Sequence, residues 1–382
     1  MNQVDLVYIN AGGGHRSSAE ALRAVLSEHP SWQIRLVNLQ EELRPLDRVY
    51  NLTGAPLEDC YNFALRRNWT WGSSLALSVF HSAVRSAHRE QVRLLTDFWR
   101  ETRPDLVVSL LPHFNRAIAE SLRRALPGIP FAVLLTDLAD TPPHFWIEPE
   151  EQYVICGSER AVRQARAAGI RSDCIYRTSG MVVHPRFYEP LNLDRRAERK
   201  RLGLDPHVPT GLVIFGGQGS AAMMEIARRL DRSRLDVQLI LLCGHNQRLA
   251  SQLRNARMRL RRLVVDYTTQ VPFYMALTDF FIGKPGPGSI SEALVMNLPV
   301  IVEQGARTMP QERYNAEWVL EQRVGFVVPS FRSIDRTVEE LLSPGCLASL
   351  RANAAPIQNH AVFEIDGILR EILERPRQSM AS

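Results

Sequence analysis

Short apolar runs alternate with helical patterns along the first 186 residues of the chain. The first run covers residues 4–9, and Arg16–Leu26 follows a glycine turn with apolar residues at helical spacing. Further strand-length runs lie at 34–39, 106–111, 131–135 and 153–156. Because these runs are continuous rather than alternating, we predict parallel strands that are buried on both faces, with helices between them.

The same pattern restarts after a break at 183–205. The break contains Pro185, Pro190 and the charged run Arg195–Arg201, which we interpret as a linker and the first helix of a second domain. A strand at 211–215, a glycine loop and a helix at 221–230 come next. Further strands of this half are predicted at 237–243, 263–266, 280–282, 300–303 and 325–328.

The chain is therefore predicted to form two doubly wound α/β domains that face one another across a cleft. Its 382 residues suit two domains, which we place at 1–186 and 187–355. Residues 356–382 are predicted to add a C-terminal helix that can pack on either domain, with the first as the expected one. Ligands of such sheets bind beyond the carboxyl ends of the strands, so the residues that follow each strand are the candidates for chemistry.

Composition excludes several classes of protein. No apolar run approaches the roughly 20 residues that span a bilayer, and the five cysteines include no CxxC pair, which argues against a disulfide framework or a zinc site. Asp5 interrupts the first apolar stretch, so no signal peptide is expected and a cytoplasmic location is predicted. The net charge of +5 permits contact with phosphates or anionic lipid, but no segment resembles a nucleic-acid-binding module, so nucleic acid is not an expected partner.

The most informative segment follows the predicted strand at 280–282. Its glycines allow a close approach of the backbone to a phosphate, and the helix that Ser289 is predicted to open offers free N–H groups. Glu292 lies three residues after Ser289. Two interpretations stay open: the pair forms a capping box, or Glu292 accepts hydrogen bonds from ribose hydroxyls.

Two other glycine turns are candidates for binding phosphate. The turn at 216–220 lacks the GxxxxGK[ST] arrangement of a P-loop. The turn at Gly12–Gly14 ends at His15, whose imidazole can act as a base or bind a phosphate. The chain contains no Asp-x-Asp, which argues against a metal-bound diphosphate, and no metal site is predicted.

Five motifs occur in a fixed order along the chain. They are Gly12-Gly-Gly-His15-Arg16, Thr136-Asp137 with His144-x-Trp146, Cys243-Gly244-His245-Asn246, Lys284-Pro-Gly-Pro-Gly-Ser-Ile-Ser-Glu292-Ala293, and Pro310-Gln-Glu-x-x-Asn315. Their ordered set resembles the GT-B glycosyltransferases of the family that contains monogalactosyldiacylglycerol synthase, bacterial diacylglycerol glucosyltransferases and the peptidoglycan enzyme MurG.

The resemblance implies two Rossmann-like domains and an inverting enzyme that moves galactose or glucose from a UDP-sugar to diacylglycerol at the membrane surface. The UDP-sugar is then a co-substrate, and no cofactor is expected. His144 and Trp146 become acceptor-side candidates. The residues implied in donor binding are Gly13, Gly14, Gly216, Gly217, Gly219, Gly244, Lys284, Gly286, Gly288, Ser289, Glu292, Gln311, Glu312 and Asn315.

An inverting transfer needs one base for the acceptor hydroxyl. His15 and Asp137 both follow predicted strands of the first domain and are the two candidates. The alternatives are a phosphate or structural contact for His15 and a capping role for Asp137. For Lys284, a nucleotide contact and a loop-capping cation stay open.

The stretch Tyr50–Trp99 is rich in aromatic residues and arginine, which suits peripheral attachment to anionic lipid on the inner face of the cell membrane. A pair of ordinary amphipathic helices is the alternative. Two rival functions stay open: transfer from a UDP-sugar to a polyprenyl-linked or soluble acceptor, and nucleotide-sugar binding without turnover.

Overall fold

The computed structural model describes residues 1–10, 13–46, 86–306 and 308–375. The described residues form two compact units. The first runs to Pro185 and includes the residues from Asn359 onward, and the second runs from Arg186 to Gln358. The predicted lipid-contact stretch lies outside the described residues as far as Arg85.

In the described part of the first unit, six parallel strands form one sheet in the order β2-β1-β3-β4-β5-β6. The strands are β1 (Asn2–Tyr8), β2 (Trp32–Asn38), β3 (Leu106–Ser109), β4 (Phe131–Leu134), β5 (Tyr153–Cys156) and β6 (Ile175–Arg177). Strands β3, β4 and β5 are buried along their whole length, which confirms the prediction from continuous apolar runs. The strand order reverses between β1 and β3, where such sheets bind ligands.

The described helices of this part are α1 (Gly14–Leu26), α2 (Leu39–Glu42), α3 (His88–Thr102), α4 (Asn115–Ala125) and α5 (Glu159–Ala167). Two fully buried tryptophans lie in the core of the unit. The indole N–H of Trp99 on α3 donates to Ser121 Oγ on α4 at 2.9 Å. The second, Trp146, belongs to the loop before β5 and is part of the site described below.

The second unit repeats this architecture in its described residues, with six parallel strands in the order β12-β11-β10-β7-β8-β9. The strands are β7 (Thr210–Ile214), β8 (Gln238–Leu242), β9 (Arg262–Val265), β10 (Phe280–Gly283), β11 (Val300–Glu303) and β12 (Gly325–Val328). The order reverses between β7 and β10. Both predicted phosphate loops of this half follow those two strands, so they lie where a ligand is expected.

The described helices of the second unit are α6 (Arg195–Arg201), α7 (Ala222–Ser233), α8 (Gln247–Asn255), α9 (Val271–Ala276), α10 (Pro287–Val295), α11 (Arg313–Glu321), α12 (Ile334–Leu341) and α13 (Cys346–Ala354). Helix α6 is the charged run that was predicted as the first helix of the second domain. It begins there because Asp194 Oδ1 accepts the backbone N–H groups of Arg196 and Ala197.

The last helix, α14 (Ala361–Glu374), belongs to the first unit. Its Asp366 Oδ1 accepts the indole N–H of Trp32 at 2.6 Å, and the preceding Asn359 donates its Nδ2 to the carbonyl of Met181 at 2.8 Å. These hydrogen bonds fasten the end of the described chain to β2 and to the segment after β6.

Candidate active site

His15 lies in the first turn of α1, beyond the carboxyl end of β1. The helix begins at Gly14, earlier than predicted, and its N-cap residue Gly13 has a left-handed φ of 82°, which glycine adopts without strain. The imidazole is half-buried, and its Nδ1 lies 3.0 Å from Oγ1 of Thr136, which follows β4. The fold thus joins two motifs that are 121 residues apart in the chain.

Asp137 comes directly after Thr136 and is buried, with 7% of its surface exposed. The indole Nε1 of Trp146 donates to Asp137 Oδ2 at 3.1 Å. The ring centroid of the same tryptophan lies 5.7 Å from that of His15. The structure therefore brings the two candidate bases together around one tryptophan.

Trp146 itself is fully buried, so the expectation that it contacts an acceptor is wrong. Its backbone explains the burial, because its N–H donates to Asp140 Oδ1 at 2.7 Å and its carbonyl accepts from Asn115 Nδ2 at 2.8 Å. Trp146 supports Asp137 and His15 instead. The neighbouring candidate His144 is exposed, and its Nδ1 lies 3.2 Å from the carbonyl of Ile147.

Asp140 organises this loop, and sequence analysis missed it. Its carboxylate accepts the backbone N–H groups of His144, Phe145 and Trp146 at 3.0, 2.9 and 2.7 Å. Burial raises the pKa of Asp140, and these amide bonds act in the opposite direction. The available signal was a second acidic residue three positions after Asp137, ahead of a proline pair that marks a turn.

In the second unit, the glycine loop after β7 packs closely against the residues that follow β8. A Cβ at Gly219 would lie 2.8 Å from the carbonyl oxygen of Cys243, and a Cβ at Gly244 would lie 2.2 Å from the carbonyl oxygen of Gly217. Both contacts are with backbone atoms, which cannot shift without disturbing the loop. Gly219 and Gly244 are therefore needed for loop packing, whatever they do for a donor.

Other predicted donor-binding glycines leave space beside the backbone, as a phosphate cradle requires. Among the described residues, no atom lies within 4 Å of a Cβ added to these glycines. They are Gly13, Gly14, Gly216, Gly217 and Gly288.

Helix α10 begins at Pro287, and Gly286 is its N-cap residue. Ser289 is thus the third residue of the helix and Glu292 the sixth, so the capping-box interpretation is wrong; proline is favoured at the first helical position and starts the helix early. Burial raises the pKa of Glu292 to about 7, and the guanidinium of Arg186 acts in the opposite direction. A carboxyl group with such a pKa, on a helix that follows a glycine loop, is typical of a ligand site.

The motif from Pro310 to Asn315, which holds three of the predicted donor-binding residues, contacts this donor loop. Lys284 Nζ is 2.7 Å from Glu312 Oε1, an ion pair in which the carboxylate side chain is only 12% exposed. Asn315 is fully buried and donates its Nδ2 to the carbonyl of Pro285 at 3.0 Å. Asn315 therefore fixes the loop, and its direct contact with the donor stays a prediction. Gln311 Oε1 is buried and accepts no hydrogen bond from the described residues.

Sequence analysis also missed an aromatic stack at the carboxyl edge of the second sheet. The rings of His245, after β8, and Tyr267, after β9, stack with centroids 4.1 Å apart and planes 17° apart. Both residues are exposed, and Tyr267 exposes 57% of its surface. The signal was an aromatic residue, Tyr267, directly after the strand predicted at 263–266.

Within the described ranges, no cluster of three His, Cys, Asp or Glu side chains is placed to hold a metal ion. In the same part of the chain, no helix combines the length and apolar character needed to cross a bilayer.

Comparison with known proteins assigns a family to both units. Residues 15–183 match the family model for monogalactosyldiacylglycerol (MGDG) synthase, and residues 211–364 match that for the C-terminal domain of glycosyltransferase family 28. These two matched domains and the MGDG synthase relatives indicate that the chain is a hexosyltransferase. A relative of this glycosyltransferase, the chloroplastic MGDG synthase of Spinacia oleracea, is 28% identical over 98% of this chain and 73% of that protein.

Solved structures show the fold of this glycosyltransferase and confirm the GT-B prediction. MurG of Acinetobacter baumannii matches with a TM-score of 0.61 at 12% identity, over 97% of this chain and 100% of that chain. UDP-GlcNAc 2-epimerase from Neisseria meningitidis bound to UDP-GlcNAc matches with a TM-score of 0.59 at 14% identity, over 97% and 99%. Because transferases and an epimerase share the fold, the reaction class comes from the family models and not from the fold.

Proposed function

We propose that this glycosyltransferase moves a hexose, galactose or glucose, from a UDP-sugar to diacylglycerol with inversion at the anomeric carbon. The observation that carries the proposal is the match of residues 15–183 to the MGDG synthase model, because this segment holds His15 and Asp137 side by side around Trp146. The names of the plant relatives support the lipid acceptor. The UDP-GlcNAc in a solved relative of the same fold supports a UDP-sugar donor.

In the proposed reaction, the acceptor oxygen attacks the anomeric carbon from the face opposite the diphosphate. The new carbon–oxygen bond forms as the bond to the diphosphate oxygen breaks, and UDP leaves with that electron pair. The acceptor proton passes to a base, for which His15 and Asp137 are the candidates. Of the two, we propose His15, because the ordinary pKa of about 6.5 leaves an imidazole largely neutral at cellular pH, whereas a carboxylate is a weaker base there.

The second unit supplies the proposed donor site. The N-terminus of α10 and the open glycines after β7 and β10 offer backbone N–H groups to the diphosphate. The ion pair between Lys284 and Glu312 holds the carboxylate of Glu312 beside that loop. There the carboxylate can accept hydrogen bonds from sugar hydroxyls, and the amide of Gln311 can accept or donate them. The exposed ring of Tyr267 offers a stacking surface for a base at the same edge of the sheet.

Donor binding is expected to need no divalent metal, because backbone N–H groups at these loops carry the stabilisation of the diphosphate. Calorimetric titration with UDP should give the same dissociation constant, within about twofold, in excess EDTA and in added Mg²⁺. UDP binding that disappears on chelation and returns with Mg²⁺ would contradict this expectation.

Glu292→Ala is expected to weaken UDP binding, because we propose that this carboxylate accepts hydrogen bonds from the ribose hydroxyls. The expected loss is about 1–3 kcal/mol, as for a hydrogen bond to a charged group. Hydroxyl donors favour the ionised carboxylate. With a pKa of about 7 in the free protein, wild-type affinity for a UDP-sugar should therefore rise about tenfold from pH 6 to pH 8.

Calorimetry with UDP-glucose or UDP-galactose measures the pH effect cleanly, since their diphosphate diesters do not titrate in this range. Glu292→Gln should abolish the pH dependence, whereas Glu339→Ala on the exposed side of α12 should leave both affinity and pH dependence as in the wild type. An unchanged affinity in Glu292→Ala would remove Glu292 from the donor site.

We propose that the reaction takes place at the inner face of the cell membrane, in contact with anionic lipid, because diacylglycerol resides in the bilayer. The decisive experiment incubates the full chain with UDP-galactose, UDP-glucose or UDP-GlcNAc and with anionic vesicles that contain diacylglycerol, a polyprenyl phosphate or no acceptor. Mass spectrometry should find hexosyl-diacylglycerol, and the His15→Ala variant should form far less. A glycosylated polyprenyl or soluble product would contradict diacylglycerol as the acceptor. UDP-sugar binding without any product would contradict the transferase function itself.

A further inference from the structure

Thr136 contacts the candidate base without being part of any assigned site. Its Oγ1 lies 3.0 Å from His15 Nδ1, which is hydrogen-bond distance. A neutral imidazole carries one N–H and one lone pair, and the partner of one ring nitrogen decides which atom holds the proton. A hydroxyl can donate to an unprotonated Nδ1 or accept from a protonated one, so this contact fixes the pairing of the two groups and the tautomer fixes its direction.

We propose that Thr136 is a positioning residue that accepts the Nδ1–H of His15 and leaves the lone pair on Nε2. This inference rests on the proposed function, since it gives His15 the role of base. The acceptor proton then moves to Nε2, and the imidazolium that results keeps its Nδ1–H bond to the threonine. The same hydrogen bond therefore serves both charge states, and the ring need not turn during the transfer.

The surroundings of the pair support this assignment. Asp137, next to Thr136, takes a different donor, because its Oδ2 accepts the indole N–H of Trp146. The tryptophan is fully buried, and Asp140 and Asn115 hold its backbone. Trp146 thus holds the Thr136-Asp137 segment beside the His15 ring, which keeps the hydroxyl at hydrogen-bond distance from Nδ1.

The tautomer is measured directly on the wild-type protein, without substrate and without activity. With ¹⁵N-labelled histidine, the nuclear magnetic resonance spectrum above the pKa of the imidazole should show His15 with a protonated Nδ1 and an unprotonated Nε2. Comparison with His15→Gln identifies the signals among the ten histidines. A proton on Nε2 overturns the proposal.

The kinetic test compares Thr136→Val with Thr136→Ser. Loss of the hydroxyl should lower kcat about threefold to tenfold, the equivalent of one neutral hydrogen bond, with the KM for the UDP-sugar unchanged, and Thr136→Ser should restore kcat. The matched control is Thr96→Val on α3. It loses a hydroxyl that donates to the Val92 carbonyl of the same helix at 2.6 Å, and it should keep wild-type kcat.

The two hypotheses fail in different ways. Wild-type protein that transfers no hexose contradicts the proposed function, while the histidine spectrum still decides whether Thr136 sets the tautomer. Active wild-type protein with normal kcat in Thr136→Val contradicts the positioning role alone. A Thr136→Val variant that melts early, together with a wild-type spectrum showing the proton on Nε2, would leave Thr136 with a structural role only and overturn the proposal.

Discussion

Replacing His15 by alanine is expected to lower kcat by about 10²–10⁴-fold, the usual effect of losing a general base, with UDP affinity nearly unchanged. The geometry separates the two effects. His15 belongs to the first unit, where it contacts Thr136 and lies beside Trp146, whereas the donor contacts proposed for Glu292, Glu312 and the loops after β7 and β10 belong to the second unit. The deletion should therefore remove proton transfer and leave nucleotide binding in place.

Steady-state kinetics with hexosyl-diacylglycerol as the measured product, paired with calorimetric titration of UDP, tests this expectation. His207→Ala is the control, because this histidine is exposed and its backbone N–H, which the substitution keeps, donates to Asp205 Oδ1. A His15→Ala variant with near-normal kcat and poor UDP binding would make His15 a phosphate ligand. The role of base would then pass to Asp137.

The strands of both sheets were predictable because parallel strands between helix layers need side chains that are apolar on both faces. The predicted runs at 131–135 and 325–328 match β4 (Phe131–Leu134) and β12 (Gly325–Val328) within one residue. Strand β6 was missed because it is three residues long, lies at the edge of the sheet and is nowhere fully buried. An edge strand with polar residues carries little hydrophobic pattern.

The position of the site was also predictable, because motifs that follow parallel strands collect at one edge of each sheet. The degree of burial of each residue was not. Trp146 and Asn315 stand in motifs beside accessible candidates, yet both are fully buried, since backbone partners far away in sequence fix them. The start of α10 was misplaced because the sequence offers Ser289 as a cap as readily as Pro287 as a first residue.

Long-range polar contacts are the part of the fold that local pattern does not contain. The charged run Arg195–Arg201 was interpreted as the first helix of the second domain, and α6 has those bounds. Its local pattern does not reveal that Arg199 is buried, or that its guanidinium lies 2.7 Å from the carboxylate of Asp279, 80 residues later. Such contacts are set by the packing of α6 against the start of β10.

Replacing Asp279 by alanine is expected to lower the free energy of unfolding of the second unit by about 3–5 kcal/mol, because it leaves a buried charge without its partner. Asp279 Oδ2 lies 2.7 Å from Arg199 Nη2 and Oδ1 lies 2.7 Å from Arg195 Nη2. It also accepts the backbone N–H of Thr210, the first residue of β7, at 2.8 Å. The Arg199 side chain is only 5% exposed, so water cannot replace the lost carboxylate.

The matched control is Asp266→Ala in the same unit. Asp266 pairs with Arg254 at the same distance of 2.7 Å, but both side chains are about half exposed. A surface pair of this kind contributes less than about 1 kcal/mol. Urea-dependent hydrogen exchange of β7 and β10 measures both variants within the intact chain, and equal losses of stability would contradict the buried-charge argument.

The pH dependence of stability, compared between the wild type and a second variant, Asp279→Asn, tests the same ion pairs independently. Burial alone would raise the pKa of Asp279, but the attraction of Arg195 and Arg199 and the hydrogen bond from Thr210 outweigh it and hold the pKa below its ordinary value. A carboxyl group whose pKa is lowered on folding stabilises the folded state fully above its unfolded pKa of about 3.9. The advantage of the wild type over Asp279→Asn should therefore be constant from neutral pH down to about pH 5 and shrink as the pH falls further. An advantage that grows on acidification would mean that burial, and not the arginines, dominates at this site.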